Sequence, residues 1–259
     1  MSHQPRKRFG QNFLHDPGVI NRIVSAVSPK PGDRLVEIGP GQGAITKELL
    51  KAAGTLQAIE LDRDLVGPLA AACAPFGELT IHSADALRFD FTALAQDAKL
   101  RVVGNLPYNI STPILFHLLE QKAVIQDMHF MLQREVVERM AADPGSKDYG
   151  RLSVMLQAWC RVTHLFDIGP GAFNPPPKVH SAFVRLTPYP EPPHPILDRN
   201  RFAQVVTAAF GQRRKTLRNA LKELLAETEI AACGIDPGAR AETLSVADFA
   251  RLSRFVARM

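Results

Sequence analysis

Short apolar runs alternate with segments of helical period over the first half of the chain. Arg34-Leu35-Val36-Glu37-Ile38-Gly39 reads as a strand ended by glycine, and Leu56 to Glu60, Leu79 to His82, Arg101 to Asn105 and Asp127 to Gln133 read as four more. Between and after them, Ile45 to Ala53, Val66 to Ala74, a segment opening at Ser111-Thr112-Pro113, and Arg134 to Ala142 read as helices. Pro68 is expected in the first turn of its helix, and Ser111 as a hydroxyl N-cap with proline in the turn behind it. This alternation predicts an α/β fold: a parallel sheet with helices on both faces and ligands at the carboxyl ends of the strands.

The pattern breaks at Pro188-Tyr189-Pro190-Glu191-Pro192-Pro193-His194-Pro195, a stiff extended connector. Beyond it only helical periodicity remains, over Arg201 to Phe210, Thr216 to Leu225 and Ser245 to Ala257. In the last of these Ser245 and Asp248 have capping-box spacing, and Phe249, Leu252 and Val256 form one apolar face. Two domains follow: an α/β body over 1–187 and a small all-helical C-terminal domain over 188–259.

Composition is that of an ordinary globular protein: 259 residues, 46% hydrophobic and 22% charged, enough for a core without disulfides. No apolar stretch reaches the roughly 18 residues that a membrane-spanning helix needs, and no membrane association is expected. The basic start MSHQPRKRFGQNF has no apolar run behind it and does not read as a signal peptide. Cys73, Cys160 and Cys233 are far apart and odd in number, so buried reduced thiols of a cytoplasmic protein are expected, with neither disulfides nor a metal site. Charge changes the picture more. The net charge is +5, and it is uneven: residues 1–30 carry five Lys/Arg against one acid, and 188–259 carry eleven against eight. Basic ends on a near-neutral body suit a polyanionic partner.

Candidate chemistry stands at the expected strand ends. Gly39-Pro40-Gly41-Gln42-Gly43, after the first strand, lets backbone approach a ligand, and its spacing suits either a dinucleotide or S-adenosylmethionine. Glu60 closes the second strand, 21 residues after Gly39, where a carboxylate can accept hydrogen bonds from ribose hydroxyls. Asp85 follows the third strand and could accept from an adenine amine.

The fourth strand ends Asn105-Leu106-Pro107-Tyr108, matching the pattern [Asn/Asp]-[Pro/Ile/Leu]-Pro-[Tyr/Phe] of methyltransferases that act on planar amines. The lone pair of such an amine is delocalised and a poor nucleophile. The Asn105 side-chain carbonyl and the Leu106 main-chain carbonyl could accept its two hydrogens. They would thereby favour the localised lone pair and disperse the positive charge that develops on nitrogen. Tyr108 could stack on the base and hold it at attack distance. Phe173, at the head of the proline-framed segment Phe173-Asn174-Pro175-Pro176-Pro177-Lys178-Val179-His180-Ser181, is either a core residue or the platform for the other face of an extruded base.

With these motifs, and with Arg8-Phe9-Gly10-Gln11-Asn12-Phe13-Leu14, the chain closely resembles the ribosomal RNA adenine N6,N6-dimethyltransferases along its whole length, above all those of the bacterial small subunit. The resemblance implies a Rossmann-like S-adenosylmethionine-dependent methyltransferase sheet. It implies that Asn12, Leu14, Gly39, Glu60, Asp85 and Asn105 line the cofactor site, with Gly41 in the same loop, and that Asn105, Tyr108 and Phe173 position the base. It implies dimethylation of two adjacent adenosines near the 3′ end of 16S rRNA, coupled to small-subunit biogenesis. The implied partners are the small subunit and its rRNA, with no duplex DNA. The basic run Arg213, Arg214, Lys215, Arg218 and Lys222 in the tail suits phosphates, or is a solvated helix face. A monomer is expected. The alternatives are a large-subunit enzyme of the macrolide-resistance type, which shares fold and motifs, and a ribosome-assembly factor whose main task is docking.

Overall fold

The computed structural model describes residues 12–107, 110–212 and 214–256. The chain divides into two units, Met1–Val137 with Thr163–Pro188, and Glu138–Val162 with Tyr189–Met259.

The first unit begins with β1 (Phe13–Leu14) and α1 (Pro17–Val27), then alternates β2 (Arg34–Ile38), α2 (Thr46–Ala53), β3 (Thr55–Glu60), α3 (Arg63–Cys73) and β4 (Glu78–Ser83). It continues through α4 (Thr92–Ala95), β5 (Leu100–Asn105), α5 (Ser111–Glu120), β6 (Ile125–Gln133) and the start of α6 (Arg134–Ala141). After α7 (Arg151–Gln157) of the second unit, β7 (Cys160–Ile168) returns to the first, followed by β8 (Phe173–Asn174) and β9 (Ser181–Pro188). Seven strands form one sheet in the order β4-β3-β2-β5-β6-β9-β7. The five strands legible in the sequence pair in parallel, as expected. The last two were not anticipated, and β9 runs antiparallel to β6 because a loop without a crossover helix feeds it.

The helices start and stop for local reasons. Asp16 caps α1, its carboxylate accepting from the Val19 N–H at 2.9 Å, with Pro17 in the first turn. Asp62 caps α3 three residues ahead of the expected start. Pro68 therefore lies in the interior of α3, not in its first turn, and is tolerated because it is on the exposed side, where water can satisfy the carbonyl one turn back. At α5 the N-cap position belongs to Ile110, without a side-chain cap, and Ser111 is the first helical residue, buried. Ile23, Leu35, Leu49, Leu69 and Val103 are almost wholly buried in one cluster, each such side chain contributing about 1.5–3 kcal/mol.

The second unit packs α7, α8 (Arg199–Phe210), α9 (Leu217–Ala220), α10 (Glu227–Ala232) and α11 (Val246–Val256) around Phe202, Val206, Leu217 and Phe249. Its share of the chain differs from a cut at residue 188: Glu138–Val162 joins it, because buried Val154 and Leu156 of α7 pack with α8, and Tyr189 N–H donates to the Trp159 carbonyl at 2.8 Å. The helix expected over 216–225 shrinks to α9. Its first N–H groups are drawn to the carbonyls of Ala239 and Pro237, and turns follow it to Leu225. The capping box at Ser245 and Asp248 forms in both directions, at 2.8 and 3.2 Å. Among the described residues no helix is long and apolar enough to cross a membrane. Cys73 and Cys160 are buried as expected, while Cys233 is half-buried.

One buried cation ties the amino end of the sheet. Arg101 on β5 faces Asp127, its partner on β6, through Nε and Nη2 at 3.1 Å, reaches Asp33 at 2.7 Å, and donates to the Val27 carbonyl ending α1 at 2.6 Å. Burial alone would raise the Asp127 carboxyl, but the His129 ring and Arg101 outweigh it and hold it below the usual carboxylate range. The folded pKa lies under the unfolded one, so this stability is present above the ordinary carboxylate range near about pH 4 and is lost as pH falls through the folded value. Arg101→Ala leaves Asp127 uncompensated and is expected to cost about 3–5 kcal/mol, read as a lower urea midpoint at pH 7. The gap between the two proteins should narrow on acidification below about pH 4.

Candidate active site

β2 lies between β3 and β5 and pairs with both in parallel, so the chain moves outward on one side of it and returns on the other. The crevice of such a sheet opens at this switch point, outside the carboxyl ends. Register brings those ends to one level: Ile38 stands opposite Ile59 and Gly104, Glu60 opposite Ser83, and Asn105 opposite Met131. A cleft of about 360 Å³ occupies this place, lined by Asn12, Leu14, Glu37, Gly39, Gly41, Glu60, Asp85, Asn105, Leu106 and Phe173 among others. All described residues expected at the cofactor and base sites meet there; Tyr108 lies outside the described residues.

The glycine loop has two different duties. Gly41 has φ +58°, and a Cβ on it would come 3.1 Å from the Phe13 ring, so the strap at β1 lies directly against the loop. Gly43 serves packing: its Cβ would meet Leu69 of α3 at 2.8 Å, and it does not line the cleft. The three glycines thus do not share the ligand-facing role that their alternation suggested.

Glu60 holds the loop in place. Its Oε2 accepts from the Gly41 N–H at 3.2 Å and its Oε1 from the Asp62 N–H at 2.8 Å. Burial raises its pKa, the two N–H groups oppose that, and the charge of Asp62 adds to it. Asp85 accepts from the Leu87 N–H at 3.0 Å, which fixes its turn at the cleft wall. Glu37 was read in the sequence only as part of a strand, yet it lines the cleft. It is 2% exposed, and its Oε2 has no hydrogen-bond partner among the described residues. Burial pushes its pKa to about 7, with the Thr46 hydroxyl opposing and Glu60 reinforcing the rise. A lone acid inside the apolar run Leu35-Val36-Glu37-Ile38 was the signal that could have found it.

Remote segments hold Asn105 and its surroundings in place. Its Nδ2 donates to the Asn12 carbonyl at 3.2 Å. The next residue, Leu106, donates its N–H to the Met131 carbonyl at 3.2 Å. β1 pairs antiparallel with β8, Leu14 opposite Phe173, and His15 N–H donates to the Ala172 carbonyl at 2.9 Å. Phe173 is buried in the core cluster and also lines the cleft, so it is a core residue with one face on the site. The expected basic run is in the second unit: Arg214 and Lys215 are exposed, Arg218 pairs with Glu227 at 3.4 Å, Lys222 with Glu223 at 3.5 Å, and Arg213 lies outside the described residues. Among the described residues no cluster suited to a metal is found.

Comparison with known proteins decides the family. The model of the ribosomal RNA adenine dimethylases matches residues 2–258. The chain belongs to the ribosomal RNA adenine dimethylase family. It is 61% identical over 254 residues to the ribosomal RNA small subunit methyltransferase A of Methylococcus capsulatus, covering 98% of each. To that of Pseudomonas aeruginosa it is 58% identical, covering 99% of this chain and 96% of the other. Among solved structures, a dimethyladenosine transferase from Plasmodium falciparum matches with TM-score 0.77 at 25% identity, over 93% of this chain and 95% of that one. The 23S rRNA methyltransferase ErmE matches with TM-score 0.76 at 25% identity, over 95% and 100%. The dimethylase is thus an enzyme that transfers methyl groups from S-adenosylmethionine to adenine in rRNA, on a Rossmann-like sheet.

The cleft of this dimethylase suits its cofactor. A volume of this order is that of a small-molecule site, and the orphaned, buried Glu37 oxygen offers a place for an ammonium. Raised above the unfolded value of 4.5, the Glu37 carboxyl makes the free protein less stable as pH rises: the unfolded state ionises first, stability falls from about pH 4.5 to about 7, then levels. The loss is of order 3 kcal/mol, and Glu37→Gln is expected to remove it. Urea unfolding of both proteins across this range checks it; parallel profiles would contradict the assignment.

Proposed function

We propose that this dimethylase acts on the small-subunit rRNA, converting two adjacent adenosines near its 3′ end to N6,N6-dimethyladenosine in the cytoplasm, as a monomer coupled to subunit assembly. What carries the reading is the placement of Asn105 and Leu106, between the glycine loop and Phe173, in the wall of the cleft. High identity to two small subunit methyltransferases supports the choice of particle. The fold alone does not choose the particle, since the 23S rRNA methyltransferase ErmE is matched with TM-score 0.76.

Glu60 is assigned the ribose hydroxyls, Asp85 the adenine amine and Glu37 the ammonium of S-adenosylmethionine, with Asn12, Leu14, Gly39 and Gly41 closing the cleft around it. When bound, S-adenosylmethionine supplies a methyl group made electrophilic by its sulfonium. The Asn105 amide has its Nδ2 engaged by the Asn12 carbonyl, so its Oδ1 is turned to accept from the target amine. The Leu106 carbonyl accepts the second hydrogen, and Phe173 presents a face to the base. Both acceptors stabilise the positive charge that appears on N6 as the new N–C bond forms. The amine then gives a proton to water, which restores a lone pair for a second methyl. Arg214 and Lys215 on the second unit are assigned to rRNA phosphates, with Arg213, Arg218 and Lys222 of the same run.

Labelled methyl transfer to small subunits lacking the 3′-end methyls, with large subunits and duplex DNA as controls, tests this. Dimethyladenosine in digests of small-subunit rRNA alone is expected; label in the large subunit would overturn the choice of particle. Asn105→Ala is expected to lower the rate by about 10²–10³ while particle binding stays nearly unchanged.

A further inference from the structure

Arg134 breaks a local rule. It is the first residue of α6, where the positive end of the helix dipole disfavours a cation. What it meets is Asp167 on β7, with Nη1 3.4 Å from a carboxylate oxygen and both side chains nearly half exposed. A bridge of that kind contributes little to stability. Asp167 has a second donor, His164, whose Nε2 is 2.9 Å from the other oxygen, again on the exposed surface. One carboxylate thus sits between two side chains that both suit an anion.

The location gives this cluster a use. From Asp167 the chain passes through Ile168 and the turn at Pro170–Ala172 straight to Phe173. The segment that follows carries exposed Lys178 and His180 and ends against Arg134, whose N–H donates to the His180 carbonyl at 3.0 Å, beside the paired Ser181 and Gln133. The loop bearing the base-facing aromatic is therefore bracketed by the cluster at both ends. Arg134 follows Met131, the partner of Asn105, by three residues, a step of roughly 10 Å along the strand. This is comparable with the length of an adenylate from its exocyclic amine to its phosphate.

We propose that Arg134 and His164 form a phosphate seat for the RNA strand that delivers the target adenosine, and that Asp167 occupies this seat until RNA displaces it. The site belongs to the first unit and is separate from the basic run of the tail. It rests on rRNA being the substrate, and it adds a rule about which contacts hold the target strand. The Asp167 carboxylate also makes indiscriminate polyanion binding less favourable, because any phosphate must compete with an anion already in place.

The test is steady-state methylation of undermethylated small subunits over a salt series, with the particle varied and S-adenosylmethionine saturating. Arg134→Gln is expected to raise the particle KM roughly threefold to tenfold and to flatten its logarithmic salt dependence by about 0.7–1. The kcat and the cofactor Kd should stay within about twofold. Asp167→Asn is expected to act in the opposite direction, lowering the KM roughly twofold to fivefold, a gain that a merely structural bridge cannot give. Asp97→Asn makes the same charge change at an exposed position just ahead of β5, at the far end of the sheet, and is expected to be neutral. Three results would each overturn the proposal: unchanged KM and salt slope in Arg134→Gln, a higher KM in Asp167→Asn, or an equal gain in Asp97→Asn. Methylation by the unaltered protein, with neither variant differing from it, would remove this site and leave the reaction standing.

Discussion

The parallel pairing of β2 with β3 on one side and β5 on the other is the constraint on which the site depends. Hydrogen-bond register leaves no freedom in where the carboxyl ends fall. Once Ile38 is opposite Ile59 and Gly104, the glycine loop, Glu60 and Asn105 must emerge side by side. A one-residue slip would turn every side chain to the other face and would separate Glu60 from the Gly41 N–H that it holds. The Arg101 cluster anchors β5 at its opposite end, tying it and its neighbour β6 to the last turn of α1. The chemistry at the carboxyl end of the sheet is thus positioned by pairing along its strands and by a buried ion cluster at the amino end.

What was legible in the sequence follows from this. Strand ends can be located from apolar runs and glycine, and Gly39, Glu60, Asp85 and Asn105 are each placed by a strand end. Their convergence needed only the assumption of a parallel sheet. The strap at Asn12 to Leu14 could not be reached that way. It is held by pairing with β8, about 160 residues away in the chain, and no periodicity encodes such a contact; the family resemblance alone pointed to it. For the same reason β9 was missed as an antiparallel strand and Glu138–Val162 as part of the second unit, since both depend on partners distant in sequence. Gly43 and Pro68 show the limit of motif reading in the other direction. Each fits a local pattern, yet Gly43 makes room for Leu69, and Pro68 lies inside a helix whose true start is set by the Asp62 cap.

The strap also unites what the sequence presents as separate motifs. Phe13 covers the glycine loop, the Asn12 carbonyl orients the Asn105 amide, and Leu14 pairs with Phe173. The orientation of Asn105 matters because an amide offers a donor and an acceptor of nearly equal shape, and only the acceptor helps an amine to attack. Without a carbonyl to hold Nδ2, either face could turn to the base, and half of the encounters would meet the wrong atom. A backbone carbonyl is a good choice for this task, as its position is fixed by the strap's own pairing and costs no side-chain entropy.

The acids of the cleft and the acceptors at Asn105 and Leu106 do different work, and the movement of charge shows why. The sulfonium charge that S-adenosylmethionine would bring is present already in the bound ground state, whereas the charge on N6 appears only as the new N–C bond forms. Glu37 and Glu60, the wall carboxylates proposed for the ammonium and the ribose, would make those contacts equally in both states and so favour binding more than rate. Uniform binding of this kind does not speed the chemical step. Only a group in contact with the amine gains interaction as the charge arrives, and that is the place proposed for the Asn105 oxygen and the Leu106 carbonyl.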